Sequence, residues 1–296
     1  MTIWITGCSG FLGNRLTLAL IEQGVQVVGI SRRGSSHAST SVSLDLSSND
    51  AYARLTELLR AKGRPDAVVH TAARLDREPG TYQQYVSANL AATANLLDAL
   101  EQDPPSQFIY TSSLSVYGRP VTNPVKETDP ARGRWLYSIT KRCAEQLVEL
   151  FSNKCQATVL RLPSLYGVEQ SDSLIDGLAR LAINNQDIEL FHRGEILRDC
   201  IHVSDAVNAI ISCMSTPPEA SFCCMNLGCG EAITTRQHTE ALVNALDSSS
   251  AIIPIDSDTP RDTGIYADIS EARRQIGFEP TGLKESMDRY AIELRA

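Results

Sequence analysis

Through the first half of the chain, short runs rich in Val and Ile alternate with longer segments whose apolar residues recur at helical spacing. That is the pattern of β-α units wrapped around a parallel sheet. Strands are predicted at 3–6, 25–30, 42–45, 67–71, 107–112 and 157–161, and helices at 10–23, 51–61, 82–101 and 137–154. Six strands with helical crossovers predict an α/β fold with a doubly wound parallel sheet.

The second half has a different rhythm. A helix is predicted at 173–184, a short strand at 189–191, and a segment 198–203 leading into a helix at 204–214. A strand at 221–227, a helix at 235–246 and a final helical pair at 270–275 and 283–295 follow. Pro, Gly and Ser cluster at 118–124, 216–218, 247–250 and 256–263, which marks loops. There is no internal repeat, and the Ser-rich stretch 34–48 reads as a solvated connection.

Composition narrows the ligands. The 296 residues carry 35 acidic against 27 basic side chains, a net charge of −8, with 43% hydrophobic and 21% charged residues. At roughly 150 residues per domain this predicts two domains, or one large core with an appendage. With no basic block, neither nucleic acid nor an anionic membrane is the expected partner, because phosphate backbones are bound through clustered Lys and Arg. Small molecules are. The 8 cysteines show no Cys-x-x-Cys and no Cys/His spacing of a zinc site, so reduced thiols and no metal are expected. The segment Met1–Ile5 lacks the features of a signal peptide and no apolar run reaches bilayer-spanning length, which predicts a cytoplasmic protein.

Thr6-Gly7-Cys8-Ser9-Gly10-Phe11-Leu12-Gly13 directly follows the first strand and opens the first helix. Gly7 allows a tight turn, Gly10 leaves room for a pyrophosphate against the backbone, and Gly13 lets helix and sheet approach, with the helix N-terminus facing the phosphates. A glycine triplet is weak evidence alone; its place between strand and helix makes it a dinucleotide site. The second strand ends in Ser31-Arg32-Arg33, where an acidic side chain would hold a free ribose 2′-hydroxyl. Two guanidinium groups and a hydroxyl suit a 2′-phosphate instead, so NADP is the expected cofactor, with NAD as the alternative. Asp45 can accept a hydrogen bond from an adenine amino group, or simply begin a turn.

Tyr137-Ser138-Ile139-Thr140-Lys141 puts a phenol and an ammonium four residues apart on one helix face. The ammonium favours the phenolate and brings the phenol toward a pKa useful for proton transfer near neutrality. Ser113 follows the fifth strand, where open sheets place ligands, and can hydrogen-bond the same substrate oxygen. A Tyr-x-x-x-Lys pair arises by chance in many helices and is not diagnostic alone.

The ordered set resembles the extended short-chain dehydrogenase/reductase superfamily, in its nucleotide-sugar epimerase/dehydratase-like branch, over almost the whole chain. The matching segments are Thr6–Gly13; Asp45-Leu46; Val69-His70-Thr71-Ala72-Ala73; Asn89 with Thr93; Phe108–Gly118; Tyr137 with Lys141; Arg161-Leu162 leading to Tyr166-Gly167; Arg198–Val203 with Asp205; and Asn226–Gly230. The resemblance implies a Rossmann domain over 1–165, to which the chain returns within 199–230, and a smaller C-terminal substrate-binding domain from 166–198 and 231–296. It implies cofactor contacts from the glycine loop, Ser31, Arg32, Arg33, Asp45, Leu46, Thr71, Ala72, Ala73, Tyr137, Lys141 and Leu162. Asn89 belongs to the same set, as a group fixing a distortion of its helix. Tyr137 would exchange the proton, Lys141 hold the nicotinamide ribose, and Ser113 orient the reacting oxygen. Ser115, Ser164, Arg198 and, more weakly, Arg261 would contact a nucleotide sugar, with Arg198 on its diphosphate. His202 reads as structural. A homodimer through helices 88–100 and 137–151 is implied, although their apolar residues Leu90, Leu96, Leu97, Ala144, Leu147 and Val148 equally suit packing within one chain.

Two departures refine the expected reaction. Members that eliminate water from the sugar carry an Asp-Glu pair directly after the residue matched by Ser113, whereas this chain has Leu114-Ser115, neither of which can serve as acid or base. Many 4-epimerases have an Asn where Ser164 stands. Together with the NADP signature these favour a 4-keto-sugar reductase, with a nucleotide-sugar 4-epimerase or a reductase of non-sugar ketones, like the flavonoid and steroid reductases, as alternatives. A non-catalytic dinucleotide-binding sensor is the reading from another class.

Overall fold

A computed structural model of the chain describes residues 1–35, 37–75, 80–119, 122–170, 173–257 and 264–296. In chain order the first half contains β1 (Thr2–Thr6), α1 (Phe11–Glu22), β2 (Gln26–Ser31), β3 (Thr40–Ser43), α2 (Ala51–Lys62), β4 (Ala67–His70), α3 (Tyr82–Tyr85), a π-helical turn (Val86–Ala91), α4 (Ala92–Leu100), β5 (Gln107–Ser113), a 3-10 turn (Leu114–Tyr117), α5 (Leu136–Phe151) and β6 (Gln156–Leu162). The second half contains β7 (Ser164–Tyr166), α6 (Leu174–Ile183), β8 (Ile188–Phe191), β9 (Leu197–Arg198), β10 (Cys200–His202), α7 (Val203–Ser215), β11 (Phe222–Asn226), α8 (Thr235–Ala245), β12 (Ile252–Ile255), β13 (Gly264–Ile265), α9 (Ser270–Ile276) and α10 (Leu283–Arg295).

Seven parallel strands form one sheet in the order β11-β6-β5-β4-β1-β2-β3. The Rossmann-type fold read from the sequence is therefore present, with β11 adding a seventh strand beside β6. The order reverses at β1, so the loops leaving β1 and β4 diverge and open a crevice at the strands' C-terminal ends. Strand alternation sets the layers. Ile3, Ile5 and Val27 face a core shared with Leu16 and Leu20 of α1 and Ile210 of α7, while Trp4, Val28 and Ile30 face Leu55 of α2, Leu96 of α4 and Val148 of α5. Burying each such side chain contributes roughly 1.5–3 kcal/mol.

Two predicted boundaries move for local reasons. The strand expected at 42–45 is β3, Thr40–Ser43, because β2 offers partners only as far as Ser31, which pairs with Ser43. Asp45 instead starts a turn, its Oδ1 accepting from Ser47 N at 2.9 Å. The helix expected over 82–101 is interrupted by the π turn that contains Asn89.

The second half has its own core, where Tyr166, Leu178, Leu190, Leu242, Met287 and Tyr290 meet. Among the described residues its strands pair two at a time: β10 with β7, β12 with β8, and β13 with β9. Of these, β12 contains Pro254, tolerated because β8 is its only partner among the described residues. Leu96, Leu97, Ala144 and Val148 are buried within the chain, and Leu90 and Leu147 pack against them.

Candidate functional site

A cleft of about 560 Å³ opens at the C-terminal ends of the strands, lined by the glycine loop, the ends of β4, β5 and β6, the start of α5, and residues from β7, β9 and β13. Gly7 holds φ +71, and a Cβ there would lie 2.7 Å from Ala72 N; a Cβ on Gly13 would strike Gly7 O. Backbone thus comes where side chains would block it. Gly10 is the N-cap of α1 and supplies no side-chain hydrogen bond, so the first-turn N–H groups stay available to an anion. This concavity fits the pyrophosphate of a dinucleotide. Thr71, Ala73, Phe11, Leu12 and Leu162 line the same cleft.

At the edge beyond β2, Ser31 donates to Gly34 O at 2.9 Å and is buried, whereas Arg32 and Arg33 are exposed. Neither guanidinium forms an ion pair among the described residues, so both are free to meet a phosphate. Leu46 is buried in the core.

Ser113, Tyr137 and Lys141 all line the cleft. Lys141 is only 2% exposed, and its Nζ donates to Thr111 O at 2.7 Å and lies 4.6 Å from the Tyr110 ring centroid and 6.0 Å from that of Tyr137. Burial pushes its ammonium down to about 7, opposed by the nearby Glu145 carboxylate. Ser113 Oγ accepts from Ser115 N at 3.1 Å, which leaves its hydroxyl proton to donate elsewhere.

Beneath this triad lies a layer of partnered polar groups. His70 Nδ1 is 2.6 Å from Thr6 Oγ1 and its Nε2 2.9 Å from Thr93 Oγ1. Thr93 Oγ1 already donates to Asn89 O, so it accepts from His70 Nε2–H, and Nδ1 accepts from Thr6. Burial, reinforced by Lys141, pushes the imidazole down to about 3, which keeps it neutral. Asn89 accepts from Arg74 N at 2.6 Å and donates to Arg74 O and Thr140 Oγ1, each at 3.1 Å. It therefore ties the chain beyond β4 to the turn of α5 between Tyr137 and Lys141, and it is buried behind the cleft wall.

One group escaped the sequence reading. Glu145 accepts from Ser112 Oγ at 2.5 Å and from Arg161 Nε and Nη2 at 3.1 and 2.8 Å. Arg161 Nη1 also donates to Tyr117 Oη at 2.8 Å, which donates to Asn226 Oδ1 at 2.7 Å. The network joins β5, α5, β6 and β11. Continuing the helical spacing of Tyr137 and Lys141 by four residues would have pointed to Glu145.

On the other wall, Ser164 and Arg198 line the cleft and are exposed; the Arg198 side chain forms no ion pair among the described residues. Ser115 Oγ is buried and lacks a hydrogen-bond partner among the described residues. Asp199 accepts from Cys229 N at 2.8 Å and Ala267 N at 2.9 Å, and burial pushes its carboxyl up to about 6. His202 contacts Ser204 and Glu293. Arg261 lies outside the described residues. Among those, no group of His, Cys, Asp and Glu is placed to hold a metal, and no helix is long and apolar enough to cross a membrane.

Residues 3–228 match the model of the NAD dependent epimerase/dehydratase family. A dTDP-6-deoxy-L-talose 4-dehydrogenase (NAD(P)(+)) of Kitasatospora kifunensis is 27% identical over 93% of this chain and 90% of its own. A UDP-glucose 4-epimerase of Halalkalibacterium halodurans is 24% identical over 95% of this chain and 91% of its own. In fold, the chain is similar to the UDP-glucose 4-epimerase of Thermotoga maritima solved with UDP-glucose, with a TM-score of 0.86 at 22% identity, covering 100% of this chain and 99% of that one.

Proposed function

As this chain belongs to the NAD dependent epimerase/dehydratase family of extended short-chain dehydrogenase/reductase enzymes, we propose that it is an NADP-preferring oxidoreductase acting at C4 of a nucleotide sugar, in net terms a 4-keto-sugar reductase. The observation that carries this reading is the convergence of Ser113, Tyr137 and Lys141 on the cleft that the glycine loop also lines.

When bound, the reduced nicotinamide would supply the hydride, two electrons and one hydrogen, to the ketone carbon. The chain's own groups do the rest. Tyr137 gives its phenolic proton to the substrate oxygen as the ketone becomes an alcohol, Ser113 holds that oxygen in line, and the Lys141 ammonium favours the phenolate left behind. Ser115 and Ser164 meet sugar hydroxyls, and Arg198 meets the diphosphate; Arg261 is a further candidate for the same anion. Leu114, buried in the turn after β5, leaves no carboxylate there to drive elimination of water. Arg32 and Arg33 favour NADP over NAD, and NADP suits a reaction that must exchange its cofactor on each turnover. The dehydrogenase relative from Kitasatospora kifunensis supports a net oxidoreductase, and its name, which includes NAD(P)(+), covers either cofactor. The reading includes a cytoplasmic homodimer, tested by whether light scattering gives a mass of two chains or one.

The second reading, a 4-epimerase, is favoured by the relative from Halalkalibacterium halodurans. The two part in one assay. A reductase consumes NADPH in proportion to nucleotide 4-keto sugar, whereas an epimerase interconverts C4 isomers without net consumption. Interconversion with no NADPH loss overturns the reductase reading in favour of the epimerase.

A further inference from the structure

A lysine whose ammonium is buried needs something in place of water, because an ion taken into the interior loses its hydration. Lys141 is such a lysine. Its Nζ donates to Thr111 O at 2.7 Å and forms no ion pair among the described residues. Glu145, one helical turn further along α5, is engaged by Arg161, whose Nη2 lies 2.8 Å away, and by the Ser112 hydroxyl. What else faces the ammonium is the ring of Tyr110, with its centroid 4.6 Å from Nζ. That is well within the range at which an aromatic face attracts a cation.

Tyr110 stands on β5 immediately before Thr111, so two consecutive residues hold one ammonium, the first by its side chain and the second by its carbonyl. It pairs in register with His70 of β4 and Val159 of β6, and is 1% exposed. The His70 ring packs against it, with centroids 5.5 Å apart and planes at 31°. That imidazole is kept neutral and brings no competing charge. The Tyr110 hydroxyl, by contrast, is buried with no hydrogen-bond partner among the described residues. Its polar end fastens nothing there, and the ring is what the residue contributes.

We infer that Tyr110 is a positioning residue of the proton-transfer site, its aromatic face holding the Lys141 ammonium, in charged form, beside Tyr137. This rests on the proposed proton transfer by Tyr137. The other titratable groups around Lys141 are Tyr137 and Glu145 of α5 and His70 of β4, with Arg161 of β6 behind Glu145. Burial has already pushed the ammonium down to about 7, so a modest loss of attraction depletes the charged form near neutral pH. Without that charge, the phenolate that Tyr137 becomes on giving up its proton loses its favourable neighbour.

The test titrates Lys141 itself. The chain has five lysines, so with 13C at lysine Cε the Lys141 signal is assigned by its absence from Lys141→Met and followed against pH by NMR. Tyr110→Phe keeps the ring and is expected to titrate as the wild type does. Placing one, two and then three fluorines on that phenylalanine withdraws electron density from the ring face while leaving the packing in place. The titration should then fall step by step, by about one pH unit in all. In NADPH-dependent reduction of a nucleotide 4-keto sugar, the alkaline limb of the pH profile should move down with it, at an unchanged plateau. A flat series overturns the inference, as does a limb that stays in place while the titration falls. A wild type that reduces no nucleotide 4-keto sugar overturns the proposed reductase, and the NMR series still decides whether the ring holds the ammonium.

Discussion

At the base of the cleft, below β1, β4 and β5, His70 is held at both ring nitrogens, Asn89 makes three hydrogen bonds, and Glu145 grips Ser112 and Arg161. At the rim, Ser115 Oγ has no partner among the described residues, Arg198 stands free of any ion pair there, and the Trp135 indole lies half in water. His70, Asn89 and Glu145 spend their hydrogen bonds on neighbouring groups of the base, and Asn89, through Thr140, braces the helical turn between Tyr137 and Lys141. The rim keeps its capacity unspent, which is what recognition of an incoming molecule requires. Stability and selectivity are thus carried by different residues, and substitutions should separate them.

The largest effect is expected at the base. Glu145→Ala leaves Arg161 as an uncompensated buried charge and should cost about 3–5 kcal/mol of stability in chemical denaturation. A loss below about 1 kcal/mol would mean that the network is not a support. Next comes Asp199, which holds the backbone of Cys229 and Ala267 beside the cleft. Its carboxyl titrates at about 6 in the fold, against 3.8 ordinarily, so the folded protein holds this proton more firmly than the unfolded chain. Its contribution is fully present below about 3.8 and is lost as pH rises through about 6, up to roughly 3 kcal/mol. Asp199→Asn should flatten that part of the stability-against-pH curve.

Tyr137→Phe should fold and bind cofactor yet lose at least about two orders of magnitude in kcat, about 2.7 kcal/mol of barrier. Wild-type turnover would remove Tyr137 from the chemistry. The smallest effect is expected at the outer edge. The double change Arg32→Ala, Arg33→Ala should raise KM for NADP by about tenfold and leave KM for NAD nearly untouched; an equal rise in both would assign the arginines no part in telling the two apart.

The same division explains what could be read in the sequence. The base is made of segments where one residue type at one spacing has one physical use: the glycine loop between strand and helix, and Tyr137 with Lys141 on one helical face. These were legible. The partner of Glu145 was not, because Arg161 is supplied by β6, and no periodicity in α5 reports what lies across from it. The rim was less legible still. Strands such as β9 and β13, two residues each, are too short to show alternation. Whether Trp135 faces a cleft or open solvent depends on how the loop through Gly133 folds back on Val116, a contact between segments distant in the sequence.

The π turn at Val86–Ala91 carries a consequence for any attempt to shorten this protein. Each residue of an α-helix rotates the chain by about 100°. Excising one residue from that turn would produce a more regular helix and, by any local measure of helix quality, an improvement. It would also swing everything on one side of the cut through more than a quarter of a revolution. Either Tyr85 would leave the carbonyl of Leu75, to which it donates at 2.9 Å, or Leu96 and Leu100 would rotate out of the core. The irregular turn is a spacer whose extra residue reconciles two incompatible angular settings.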